Sequence, residues 1–181
     1  MQLPIYSPED EQLLMARVWA PKVKDDPEAF VLFAFPWGQK GTPLEHFAGP
    51  RKWQRDVLRQ VAEHLAKNKT ASAYEVLRMA TSSGRGIGKS ALVSWLILWM
   101  LSTRIGSTTI VSANSEAQLR SVTWAEITKW AALLINSHWF EISATRVMPA
   151  KWIAELVERD LKKGTRYWSV EGRLWSEENP D

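Results

Sequence analysis

Eight consecutive residues, Ser83-Gly84-Arg85-Gly86-Ile87-Gly88-Lys89-Ser90, have the types and the spacing to hold the phosphates of a nucleotide. Glycines let the backbone turn tightly, so that successive N–H groups converge on phosphate oxygens. A helix opening at the end of the run adds the positive end of its dipole to the same anion. Lys89 then reaches the β- and γ-phosphates, and the Ser90 hydroxyl ligates Mg²⁺. The usual pattern, G-x-x-x-x-G-K-[ST], has glycine where this chain has Ser83, a small residue that also suits a turn. The bland alternative is a glycine-rich turn ahead of a buried helix. The order of the flanking segments argues against it.

Those flanking segments must position the loop. Residues 74–80 read as a strand leading into it, and residues 88–102 as a helix leading out, apolar almost all round and so buried on several sides. Residues 108–113, Thr-Thr-Ile-Val-Ser-Ala, are β-branched and read as a second strand. Ser115 with Gln118 has the layout of a capping box, and the helix it opens runs to about Asn136 with Leu119, Thr123, Ile127, Trp130 and Leu134 on one face. Strand, loop, helix, strand, helix is the start of a parallel, right-handed α/β fold.

Upstream, residues 9–19 have the periodicity of a short amphipathic helix after Pro8, and 21–27 form a charged turn region. Residues 29–35 are an apolar run ended by Pro36-Trp37-Gly38, with an extended loop to Pro50. Residues 51–67 predict a clear helix. Gln54, Val57, Leu58, Val61 and Leu65 lie on one side of it and Arg51, Arg55 and Arg59 along another. That basic stripe suits either phosphates or, more commonly, a solvated helix face. Downstream, 139–143 and 167–170 are strand-like, with a basic amphipathic segment, 151–163, between them.

Composition narrows the classes. With 181 residues, 45% hydrophobic and 24% charged, the chain is globular in type and of single-domain size. A net charge of +3, from 23 basic and 20 acidic side chains, permits a polyanionic partner without demanding one. The absence of cysteine excludes disulfides and thiolate chemistry, and the three histidines have no ligand spacing. The longest apolar run, 91–101, is broken by Ser94 and too short for a bilayer. Met1-Gln2-Leu3-Pro4 is not the layout of a signal peptide. The expectation is a soluble, cytoplasmic protein. Eleven tryptophans could include stacking platforms for bases, but spacings such as Trp95 with Trp99 place most in the core.

Hydrolysis needs a further apolar strand ending in Asp, with an acidic neighbour to orient water. The only candidate, Leu174-Trp175-Ser176-Glu177-Glu178, has too few apolar residues to be that strand.

The chain resembles the N-terminal part of the large terminase subunit of tailed double-stranded DNA bacteriophages. Three places carry the resemblance: residues 83–90 with Arg85 four before Lys89, Trp53-Gln54-Arg55 on the upstream helix, and Ser112-Ala113-Asn114-Ser115-Glu116-Ala117-Gln118 after the second strand. Residues 29–38 have the flavour of the family's N-terminal region, and the likeness runs from about Ala29 to Asp181. It implies a P-loop NTPase of the additional-strand type, a parallel sheet flanked by helices, incomplete at the C-terminus. Residues 1–50 would be an N-terminal helical and loop region, and 51–181 a partial ATPase domain without the nuclease domain. It implies ATP and Mg²⁺ as cofactors, Trp53 and Gln54 at the adenine, and Lys89 with Arg85 as catalytic residues, Arg85 acting like an arginine finger. It implies Ser90 as the Mg²⁺ ligand. Double-stranded DNA, the portal protein, the small terminase subunit and other copies in a ring would be partners in the host cytoplasm.

On this reading the chain is a shortened form, a prophage remnant or half of a split gene, poorly active alone. The alternatives are another nucleic-acid-dependent P-loop ATPase such as a helicase, or a non-catalytic fragment binding a packaging complex.

Overall fold

The computed structural model describes residues 7–82, 84 and 86–174. They divide into two compact units, with the boundary between Leu92 and Val93.

The first unit is helical. Ser7 and Asp10 close a reciprocal capping box around the start of α1 (Pro8–Val18), with Asp10 N–H donating to Ser7 Oγ at 3.1 Å. A short helix, α2 (Pro21–Lys24), stands in the charged turn region. The apolar run is a helix, α3 (Pro27–Ala34), opened by Asp26, whose Oδ1 accepts from Ala29 N–H at 3.0 Å, and by Pro27 in the first turn. Leu58 and Val61 of α4 (Lys52–Thr70) are buried, as are Phe30 and Val31 of α3. The helix α5 (Lys89–Thr103) begins in this unit.

Two members of the arginine stripe, half-exposed to solvent, converge on one buried carboxylate. Arg55 Nε donates to Glu28 Oε1 at 2.5 Å, and Arg59 Nε donates to Glu28 Oε2 at 2.7 Å. Burial of Glu28 works to raise its pKa. The hydrogen bonds from Arg59 and Arg55 outweigh burial, and the carboxyl is held below the usual 4.5. A folded-state pKa below the unfolded one means stability present above about pH 4.5 and lost as pH falls through the folded value. Glu28→Gln should therefore lower stability at pH 7 by about 1–2 kcal/mol, the figure for charge-assisted hydrogen bonds discounted for half-exposed arginines. It should also flatten the acid limb of the stability profile below pH 4.5, read by urea denaturation at a series of pH values. An acid limb identical to wild type would show that the clamp contributes nothing.

Residues 74–80 correct the sequence reading. They carry no strand pairing, and every one is exposed, Tyr74 at 75% and Val76 at 70%. Glu75 is instead tied to α4: Asn68 Nδ2 donates to its carbonyl at 2.8 Å, and its N–H donates to Asn68 Oδ1 at 3.0 Å. β-propensity describes a side chain that suits a pleated, half-buried surface, and here neither a partner strand nor an apolar cover is present among the described residues.

The second unit holds a four-stranded sheet, in the order β1 (Thr108–Ala113), β4 (Ser169–Leu174), β3 (Arg146–Pro149), β2 (Phe140–Ile142). β1 and β4 are parallel, pairing from Thr108 with Ser169 to Ala113 with Leu174. The expected all-parallel sheet is corrected to a mixed one. β3 runs antiparallel to both of its neighbours, β2 and β4. The β2–β3 link is only 143–145, pinned by Ser143 N–H to Arg146 O at 2.8 Å, and so short a connection allows only an antiparallel pair.

Helices flank the sheet. The run after β1 starts as α6 (Glu116–Gln118), widens into a π-helical stretch (Leu119–Trp124) and continues as α7 (Ala125–Ala132). α8 (Lys151–Asp160) buries Ile153 and Val157. Six tryptophans, Trp95, Trp99, Trp124, Trp130, Trp139 and Trp168, are buried, which bears out core as their main role. The architecture is α/β.

Candidate functional site

The glycine-rich run leads directly into α5, as its sequence requires. Gly86 and Gly88 have φ of 75° and 92°, the left-handed side that side chains rarely adopt, so glycine is required at both. Gly88 O accepts the first helical bond, from Leu92 N–H at 3.2 Å. Lys89 is the first residue of the fifteen-residue helix, and its Nζ folds back to donate to Gly84 O at 2.9 Å. The ammonium thus sits over the turn, at the positive end of the helix dipole. Ser90 is exposed on the next position. Ser83 and Arg85 lie outside the described residues.

Gln54 of α4 and Arg51, the residue that caps the helix, brace this turn. Gln54 is 3% exposed, and both ends of its amide are engaged within the protein. Its Oε1 accepts from Arg51 N–H at 2.8 Å, and its Nε2 donates to Gly88 O at 2.9 Å. Arg51 adds a second link, Nη1 to Ile87 O at 3.2 Å. Gln54, read in the sequence as an adenine contact, stands as a strut under the loop. Trp53 is half-buried beside it in sequence. Arg51 was missed as a loop residue, although its spacing of three from Gln54 puts both on one side of the first turn.

The residues fit a phosphate-bearing ligand in two respects: two left-handed glycines enclose the turn, and a lysine ammonium lies on it. The strand expected before the loop is not formed, so the strand–loop–helix order is met only in its second half. Among the described residues no group of three or more His, Asp or Glu side chains could hold a metal by itself. Mg²⁺ would arrive with the phosphates and take Ser90 as its protein ligand.

A second concavity lies in the other unit, at the C-terminal ends of β1 and β4. It is a groove of about 270 Å³ lined by Leu119, Arg120, Trp124, Thr145, Gly172 and Leu174, among others. The π-helical stretch forms one wall, and a Cβ on Gly172 would touch Leu119 and Trp124 at 3.5 Å. Residues 112–118, the third place of the resemblance, end at this groove. There Ser115 Oγ caps the helix by accepting from Gln118 N–H at 3.2 Å, and Arg120 pairs with Glu116 at 2.9 Å. Nothing in the sequence signalled the π-helix.

No protein-family model matches this chain, and no curated protein and no solved structure matches it. No helix among the described residues is long and apolar enough to cross a membrane.

Proposed function

We propose that this chain binds a nucleoside triphosphate with Mg²⁺ on the turn before α5, as the nucleotide-binding part of a terminase-type DNA-packaging motor. The observation that carries the nucleotide reading is the pair of left-handed glycines, Gly86 and Gly88, at the start of α5 with Lys89 Nζ on the turn they enclose. Lys89 would exchange the Gly84 carbonyl for phosphate oxygens, a stronger, charge-assisted partner. Ser90 would ligate the metal, which neutralises phosphate charge. Arg85 would face the charge that develops on the γ-phosphate, a role that rests on the sequence resemblance alone. So do the terminase assignment and its partners: double-stranded DNA, portal protein, small subunit and a ring of copies. The residues named here hold an anion and its metal, and none of them activates water. The expected behaviour is therefore binding with little turnover.

The test is a thermal-unfolding series on the whole chain with Mg-ATP, Mg-ADP and no nucleotide, beside Lys89→Ala. At nucleotide a hundredfold above its Kd, the wild type should gain about 2.7 kcal/mol, and Lys89→Ala should gain almost nothing. A nucleotide response equal in the two proteins, or absent from both, overturns the assignment.

A further inference from the structure

We infer that the loop between α8 and β4 is a contact for single-stranded nucleic acid, with Lys162, Lys163 and Arg166 on the phosphates and Tyr167 under a base. The inference concerns the second unit and is independent of the nucleotide turn. Three cations stand within five residues, all exposed; of the three, Lys162 acts on Asp160 through space. Several cations elsewhere are committed to carboxylates: Arg55 and Arg59 to Glu28, Lys69 to Asp25, Arg120 to Glu116, Arg146 and Arg173 to Glu171.

The two acids nearest in sequence reduce the charge of the cluster without cancelling it, and Asp160 feels Lys162 through space. Asp160 is held by Arg159, at 2.6 Å and 2.9 Å. Glu158 is occupied by the loop itself, accepting from Thr165 Oγ1 at 2.5 Å and from Thr165 N–H at 3.3 Å.

The loop is also built rather than loose. Lys162 is held at a φ of 53°, uncommon for a residue with a side chain. Thr108 Oγ1 donates to Tyr167 O at 2.6 Å, and Trp168, which follows, is 1% exposed. A Cβ on Gly106 would lie 3.1 Å from Gly164 O, so the loop is backed by the turn before β1. A loop whose backbone is already held presents its cations to a polyanion without that backbone having to be ordered on binding.

Tyr167 decides the class of polyanion. The residue is 63% exposed, and the Arg166 guanidinium lies over one face of its ring, 5.3 Å from the centroid. An aromatic face beside a cation is the arrangement that stacks an unpaired base and holds the adjoining phosphate. A duplex keeps its bases stacked inside and would leave the ring unused.

The test is fluorescence anisotropy on the whole chain without nucleotide, using labelled oligo-dT, a duplex of equal length and phosphatidylserine vesicles. Oligo-dT should bind most tightly. Lys162→Ala/Lys163→Ala/Arg166→Ala should weaken it at least tenfold, and the salt slope should fall by about 2, at about 0.7 per phosphate contact. Tyr167→Ala should weaken oligo-dT about tenfold and spare the duplex. A control with the same loss of charge, Lys22→Ala/Lys40→Ala/Lys67→Ala, should change binding less than threefold. Circular dichroism melts verify that each variant is folded. Equal losses in the two triple variants would overturn the inference. So would tighter binding of the duplex or of the vesicles than of oligo-dT.

Discussion

Gly88→Ala should destabilise the first unit by about 3 kcal/mol and abolish its response to Mg-ATP. A side chain at a φ of 92° is strained by about 1–2 kcal/mol. The new Cβ would also lie 2.8 Å from Gln54 Nε2, closer than such atoms approach. Gln54 cannot step aside cheaply, because it is 3% exposed and holds both Gly88 O and Arg51 N–H. Moving it leaves a buried donor and acceptor unsatisfied, about 1 kcal/mol or more each. Gly84→Ala is the control, since nothing lies within 4 Å of its Cβ position and its φ is not left-handed. That change should stay within about 0.5 kcal/mol. A second variant separates the causes. Gln54→Ala combined with Gly88→Ala removes the clash and keeps the φ strain, so the double variant should be less destabilised than the sum of the singles. Strict additivity in urea denaturation, or a Gly88→Ala protein as stable as wild type, would show that the α4 brace does not set the turn.

The same glycine shows what the sequence could reveal of the site. A tight turn at 84–88 and a helix from Lys89 follow from glycine spacing and a long apolar segment, because both are local properties. The brace does not. Gln54 and Gly88 are thirty-four residues apart, and only the fold brings an amide under a carbonyl. The arginine stripe has the same character, since its partner Glu28 comes from another helix, twenty-seven residues from Arg55.

Secondary structure divides along similar lines. α1, α4, α5 and β1 were legible because periodicity or β-branching marks them directly. α3 was legible only as an apolar run, because seven apolar residues have neither period. The start signal, Asp26 followed by Pro27, was there to be used. Residues 74–80 went the other way. Tyr74, Val76 and Leu77 give the segment β-prone side chains, while the ladder partner that makes a strand is not a local property. The pairing of β1 with β4 spans about sixty residues, and no turn signal announces it. The cations at 162–163, assigned in sequence to a basic amphipathic segment, fall beyond the end of α8 at Asp160, which moves them from a helix face to a loop.

Trp168→Ala should be the most damaging single change in the second unit, at about 4–5 kcal/mol. The side chain is 1% exposed and meets Phe140 edge to face, with centroids 5.9 Å apart. Truncating so large a buried ring typically costs about 3–5 kcal/mol, because the cavity collapses only in part. The indole has a second task. Its Nε1–H donates to Leu101 O at 2.7 Å, and Leu101 lies in the last turn of α5, where carbonyls have no partner further along the helix. Removing the ring therefore leaves an orphaned acceptor as well as a void, and about 1 kcal/mol is added. Trp168→Phe divides the two effects: it keeps most of the volume and loses the donor, so about 1–2 kcal/mol should be lost. Urea denaturation followed by far-ultraviolet circular dichroism is the measurement, since eleven tryptophans blur a fluorescence signal. Amide exchange then locates the damage. It should rise in β4 for both variants, and at the end of α5 in Trp168→Phe as much as the lost bond requires. If Trp168→Ala costs less than about 1 kcal/mol, the ring is not packed as described. The Phe variant also bears on the basic loop, because Trp168 anchors its end. An intact fold with weakened oligonucleotide binding would show that the loop must be held in shape, not merely charged.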